Sequence, residues 1–215
     1  MGDRILAILA HQSAQVTVDE FLPQWRKVDC HLRCYVPVGD TVTGFDDVQQ
    51  IGVSAHSGYG VFRRFIDTCR DLLRDEYEHY IIAEYDTLNM TPELPMLRAD
   101  KLTTYVVWAP PHNTNDGALQ LCLLSPWCFP RHLLARFVEE AERQIEIDPD
   151  APRFGGLLDR WIGWVVRKAG IPTTLDPDLL GYPYFDEVYD LIKWAKPTWV
   201  HGWKRKEDFK DVWPQ

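Results

Sequence analysis

Two short runs, Ile5-Leu6-Ala7-Ile8-Leu9-Ala10 and Tyr80-Ile81-Ile82-Ala83, carry apolar character on every residue rather than every second one. A strand with one wet face alternates; an unbroken run predicts burial on both faces, the situation of a parallel strand sandwiched between helices. The residues between these runs fit that layout. Val16-Thr17-Val18-Asp19 leads into a helix through Phe21, Leu22 and Trp25, with Pro23 expected in its first turn. A second strand is expected from about Leu32 to Val38, ending at Gly39-Asp40. Past Ser57-Gly58-Tyr59-Gly60, apolar positions 62, 65, 66, 69, 72 and 73 mark a helix that delivers the chain to Tyr80. Strand, helix, strand in this order predicts an α/β fold with a mainly parallel sheet flanked by helices.

Later elements are expected at Tyr105–Trp108 and Leu119–Leu124 as strands. Ser125 to Pro130 is read as the turn into a long helix with Leu133, Phe137, Ala141 and Ile145 on one side. Asp148-Pro149-Asp150-Ala151-Pro152 should end that helix, and a last helix runs from Leu157 to Ala169, stopped by Gly170 and Pro172. The tail from Thr173 is expected to wrap the domain irregularly. With 215 residues, no internal repeat and no linker, one domain is expected.

The net charge of −9 argues against nucleic acid as a partner, because a phosphate backbone needs a basic field. Five cysteines, an odd number, include Cys30-His31-Leu32-Arg33-Cys34. That cluster lacks a second ligand pair at zinc-finger spacing, so free, buried thiols in a reducing compartment are expected. The opening MGDRILAILAHQ is too short for a membrane span and has no cleavage-site pattern. A cytoplasmic location with no membrane span is the resulting expectation.

The functional signal is Glu84-Tyr85-Asp86, two carboxylates one residue apart where an apolar strand ends. Alternate strand residues share a face, and two like charges side by side repel unless they share a proton, meet water or hold a cation. Ligands of open α/β sheets bind beyond the carboxyl ends of strands, and hard divalent cations take carboxylates together with phosphate oxygens. The plain alternative is a strand end whose acids meet solvent.

In this order of elements, with an acid-x-acid triplet after the run Tyr80–Ala83, the chain resembles a small GT-A glycosyltransferase, of the nucleotide-diphospho-sugar transferase superfamily. The resemblance spans nearly the whole chain, with about residues 1–100 as the nucleotide-sugar half and about 101–215 as the acceptor half and tail. It departs at Glu84, where Asp is commoner. The resemblance implies a nucleoside-diphosphate sugar donor, a uridine diphosphate sugar first, and a glycan or glycolipid acceptor. It also implies Mn²⁺ or Mg²⁺ held by Glu84, Asp86 and the late His201 of Trp199-Val200-His201-Gly202-Trp203. Donor contacts are implied at Ala10, His11, Asp40, Glu84, Tyr85 and Asp86, and inverting transfer with Asp159 as general base. Leu158 stands where many relatives carry a second acid.

Other roles remain open to simpler accounts. Asp159 in a helix's first turn complements the macrodipole without catalysis, and His201 between tryptophans also suits a packed corner. Gly39-Asp40 also suits a plain turn, and His11 a surface position. Arg63, at the start of a helix, suits a donor phosphate, or simply a pair with Asp67. Trp127 is expected to stack on an acceptor sugar, whereas Trp161 and Trp164 read as core. Two other functions compete. A sugar nucleotidyltransferase would carry a Gly-rich basic loop after the first strand, where this chain has His11-Gln12-Ser13-Ala14; a non-catalytic carbohydrate-binding module would need only the aromatics.

Overall fold

The computed structural model describes residues 3–52, 59–109, 120–147, 157–181 and 197–202. The elements are β1 Arg4–Leu9, a 3₁₀ turn Gln12–Ala14, α1 Gln15–Trp25, β2 His31–Val36, β3 Val48–Gln50 and α2 Tyr59–Leu72. They continue as β4 His79–Glu84, β5 Thr87–Asn89, β6 Leu102–Ala109, β7 Gln120–Pro130, α3 Arg131–Ile147 and α4 Leu158–Lys168. Three short strands close the set: β8 Thr173–Leu175, β9 Leu179–Gly181 and β10 Trp199–His201.

Seven strands form the main sheet in the order β3-β2-β1-β4-β7-β6-β8. β1 pairs in parallel with both β2 and β4, and β7 runs antiparallel to β4 and β6. The sheet is therefore mixed but mostly parallel, as the two apolar runs predict. Alternate residues of β1 feed two separate cores. Ile5, Ala7 and Leu9 join the apolar residues of α2, α3 and α4, while Leu6, Ile8 and Ala10 join those of α1 and the small sheet. An unbroken hydrophobic strand is what such two-sided packing demands. In α2 the residues Phe62, Phe65, Ile66, Cys69 and Leu72 are at most 1% exposed, so the spacing seen in sequence is the buried stripe of the helix.

Three local expectations are corrected. Pro23 lies inside α1, near its end rather than in its first turn. It is tolerated because Pro23 and Asp19, four residues back, are both exposed, leaving the unpaired Asp19 carbonyl within reach of water. Ser125 to Pro130 continues β7 instead of turning into α3; cross-strand pairing with β4 overrides the local proline signals. The tail from Thr173 adds β8 to the main sheet, and β9 and β10 to a second sheet ordered β5-β10-β9. The end of α4 follows expectation. Gly170 takes φ +61° and lets Ile171 N–H reach back to the Val166 carbonyl at 3.0 Å. The expected helix stop at Asp148–Pro152 lies outside the described residues. All five cysteines are free, four of them buried. No helix among the described residues is long and apolar enough to cross a membrane.

One guanidinium ties the open edge of the sheet to α2. Arg33 of β2 donates to Asp47, just before β3, and to Asp75, just after α2, both at 2.6 Å. Tyr35 completes the link by donating to Asp71 at 2.9 Å. Burial works against ionisation of Asp47, but hydrogen bonds from Arg33, Gln49 and His31 outweigh it and hold the carboxyl below its usual range. A carboxyl depressed in the folded state adds stability above its unfolded pKa and loses it as the pH falls through the folded value. Urea titrations should therefore show wild-type stability falling below about pH 4, and Asp47→Asn should flatten that acid limb. Arg33→Met, which removes the guanidinium bridging Asp47 and Asp75, is expected to cost about 1.5–3 kcal/mol at neutral pH.

Candidate functional site

Where strand order reverses, two adjacent connections leave the sheet in opposite directions and open a crevice at the strands' carboxyl ends. Here β1 has β2 on one side and β4 on the other, so the crevice lies beyond Leu9 and Glu84. A cavity of about 350 Å³ occupies that place. Its walls come from the β1 end and following turn (Leu9, His11, Ser13), from α2 (Val61, Arg64, Phe65), from the β4 end (Glu84, Tyr85) and from Leu158 at the start of α4.

The acidic triplet does not remain on one strand. β4 ends at Glu84, Tyr85 and Asp86 form a turn, and Thr87 opens β5. Tyr85 N–H still bonds the Leu9 carbonyl at 2.9 Å, and the turn then swings Asp86 beside the small sheet. β10 pairs antiparallel with β5, setting His201 opposite Thr87, and Gly202 N–H donates to the Asp86 carbonyl at 3.0 Å. Two carboxylates and an imidazole thus converge from positions more than a hundred residues apart. His201 Nε2 lies 3.6 Å from Glu84 Oε2, and Nδ1 lies 3.6 Å from Asp86 Oδ1.

One ligand atom from each of Glu84, Asp86 and His201 lies within 4.8 Å of the others. Asp86 Oδ1 is buried with no hydrogen-bond partner. An orphaned buried carboxylate oxygen is costly unless a cation or proton meets it. The donor set, two carboxylates and one imidazole, suits Mn²⁺ or Mg²⁺ with open positions for substrate oxygens. These residues therefore fit a divalent ion.

The structure places Arg64, rather than its neighbour Arg63, in the cavity wall. Arg63 Nε lies 4.0 Å from Asp67 and its side chain is 41% exposed. Arg64 Nη1 is buried without a hydrogen-bond partner. Burial lowers its pKa, opposed by the nearby charges of Glu84 and Asp40. Its stem is held by close approach of Gly52, where a Cβ would sit 3.2–3.3 Å from Arg64 carbons and the backbone takes φ +70°. A guanidinium so fixed presents planar donors to an anionic or carbonyl oxygen.

The remaining expected residues fall around the same crevice or away from it. Asp40 Oδ2 accepts the Gln12 N–H at 2.9 Å, tying the loop after β2 to the turn after β1. Ala10 is fully buried and contributes its backbone, donating to the Tyr35 carbonyl at 3.0 Å. His11 Nδ1 lies 2.6 Å from Ser13 Oγ, and its ring meets Tyr85 edge-on at 4.7 Å. Burial, with the charges of Asp86 and Glu84, pushes the Tyr85 hydroxyl up to about 12, so it stays protonated. Asp159 sits in the first turn of α4, next to the cavity residue Leu158. Its charge, with burial the larger cause, raises the Cys122 thiol to about 11.

Trp127 is corrected. It is 0% exposed, donates its indole N–H to the Leu123 carbonyl at 2.7 Å and packs edge-on against Phe65 at 5.2 Å. As part of β7 rather than a turn, it points into the core and offers no face to an acceptor. Trp161, stacked on Phe62 at 4.8 Å, is core as expected.

No protein-family model matches the chain, and a search of curated proteins finds no match either.

Two substitutions check these placements. Trp127→Ala should destabilise the fold by about 3–5 kcal/mol in chemical denaturation, the cost of emptying a large aromatic site. Gly52→Ala should cost about 1–2 kcal/mol through its left-handed backbone.

Proposed function

We propose that the protein is a metal-dependent glycosyltransferase of GT-A type. It would move a sugar from a nucleoside-diphosphate sugar, a uridine diphosphate sugar first, to a hydroxyl of a glycan or glycolipid. The observation that carries this reading is the meeting of Glu84, Asp86 and His201 within 4.8 Å beside a cavity at the reversal point of a mostly parallel sheet. Such crevices are where α/β sheets take nucleotides.

Glu84, Asp86 and His201 would hold Mn²⁺ or Mg²⁺, which would supply positive charge to offset that of the departing diphosphate. Arg64 donates its fixed N–H groups to acceptor oxygens of the nucleotide. His11 and Tyr85 supply an aromatic wall, and Asp40, whose charge acts on Arg64, offers an acceptor suited to ribose hydroxyls. The first turn of α4 faces this space through Leu158. Asp159, the residue after Leu158, is assigned as the base that takes the acceptor's hydroxyl proton as the new glycosidic bond forms, giving inversion.

Calorimetry tests the donor half. Uridine diphosphate should bind measurably with Mn²⁺ and much more weakly without it, and Asp86→Ala should erase the difference. Preference for a nucleoside triphosphate would favour a nucleotidyltransferase instead, and indifference to all nucleotides would remove the enzyme reading. For the acceptor half, Asp159→Asn should lower turnover by about 10²–10⁴-fold while nucleotide affinity persists; near-normal transfer by that variant would reject the base assignment.

A further inference from the structure

Arg64 and Glu84 line the same cavity of about 350 Å³, and each is carried by an element fixed elsewhere. Arg64 rides on α2, whose Phe62, Phe65 and Ile66 are buried, and Gly52 packs against its stem. Glu84 ends β4 in register with Leu9 of β1. The backbones that carry these charges are therefore set by the sheet and its covering helix. Arg64 Nη1 is buried with no hydrogen-bond partner. A buried donor in that state is unfavourable and is relieved when an acceptor atom arrives beside it.

The charges of Glu84 and Asp40 act on the Arg64 guanidinium and oppose the effect of its burial. Coulomb interactions are mutual, so the positive field of Arg64 also reaches Glu84. Glu84 is one of three residues whose ligand atoms lie within 4.8 Å of one another. A divalent cation held there would enter the field of a guanidinium that keeps its proton at any ordinary pH. Two positive charges in a partly enclosed cavity repel more strongly than they do in water. A diphosphate reverses the balance, because its oxygens attract both cations and offer Nη1 the acceptor it lacks.

We propose that Arg64 opposes divalent-cation binding in the empty cavity and favours it once a diphosphate is present, so that ion and nucleotide bind cooperatively. This rests on the metal reading above and adds to it the sign of the coupling. Such coupling is reciprocal: the factor by which nucleotide tightens the ion equals the factor by which the ion tightens nucleotide. Arg63 supplies a control of equal charge on the same helix. Its side chain is 41% exposed, with Nε 4.0 Å from Asp67, so solvent and salt screen it from the cavity.

Electron paramagnetic resonance of free Mn²⁺ reads ion binding without any turnover, and circular dichroism checks that each variant is folded. With Mn²⁺ alone, wild-type protein should bind weakly and Arg64→Met several-fold more tightly. Arg64→Gln, a second way to remove the charge, should behave like Arg64→Met. Arg64→Lys, which keeps the charge, and Arg63→Gln should both stay near wild type. Uridine diphosphate, corrected for the Mn²⁺ it binds by itself, should tighten Mn²⁺ on the wild-type protein about 5–150-fold, the usual range of coupling between sites. On Arg64→Met the tightening should be much smaller. Mn²⁺ affinity that is unchanged or weaker in folded Arg64→Met and Arg64→Gln would overturn the proposal. So would equal tightening by uridine diphosphate with and without the arginine, or no tightening on the wild type. If neither wild type nor any variant binds Mn²⁺, with or without uridine diphosphate, the metal reading itself falls and takes the coupling with it.

Discussion

Holding two carboxylates together at the end of a buried strand is unfavourable, and the surrounding architecture fixes the backbone that carries them. Glu84 is fixed by the β1–β4 ladder and by the Ser125 hydroxyl on its amide. Asp86 is fixed by the turn into β5 and by Gly202 on its carbonyl. Between them stands His201, set by the register of β10 on β5. Low dielectric strengthens both the repulsion between the acids and any attraction to a cation. Such a group, with one buried carboxylate oxygen lacking a hydrogen bond, is brought together by strand order and register.

The small sheet is the device that makes this possible. α1 anchors it from below, since Trp25 donates its indole N–H to the Thr87 carbonyl at 2.9 Å and Asn89 donates to the Gln24 carbonyl at 2.8 Å. Trp199 and Val200 of β10 bury completely in the same core as Leu6 and Ile8 of β1 and the following Ala10. The apolar packing that orders the tail therefore also delivers His201 to the acids. On the opposite face α2 carries Arg64 to the cavity by the same logic, its buried stripe fixing which of two adjacent arginines turns inward. Arg33 holds that helix to the outer strands. Stability and site geometry share these contacts.

Much of this was readable in order along the chain. The unbroken runs at Ile5 and Tyr80 specify strands buried on both faces, and helical spacing from Phe62 to Leu72 specifies α2, because both patterns are local and strong. The acids at Glu84 and Asp86 stood out because two like charges one residue apart at the end of an apolar strand repel unless a cation, a shared proton or water meets them. Local signals misled where tertiary pairing outweighed them. Ser125-Pro126 and Pro130 look like a turn, yet β7 runs through them because β4 supplies a partner. Trp127, judged by its neighbours, belongs at a surface; as a strand residue it lies in the core. Arg63 and Arg64 cannot be told apart by composition, and only the helix's rotation about its axis separates them.

By itself the sequence determined the α/β class, the two-sided burial of the central strands and the presence of an acidic pair at a strand end. Each depends on periodicity within a few residues. The family resemblance named His201 as a partner of that pair, but only the tertiary structure decided that the three meet, that Arg64 rather than Arg63 faces the cavity, and that Thr87 and Ser125 stand behind the imidazole. Those meetings depend on strand order and register between distant segments, which are set by the packing of the whole core and leave no trace in local spacing.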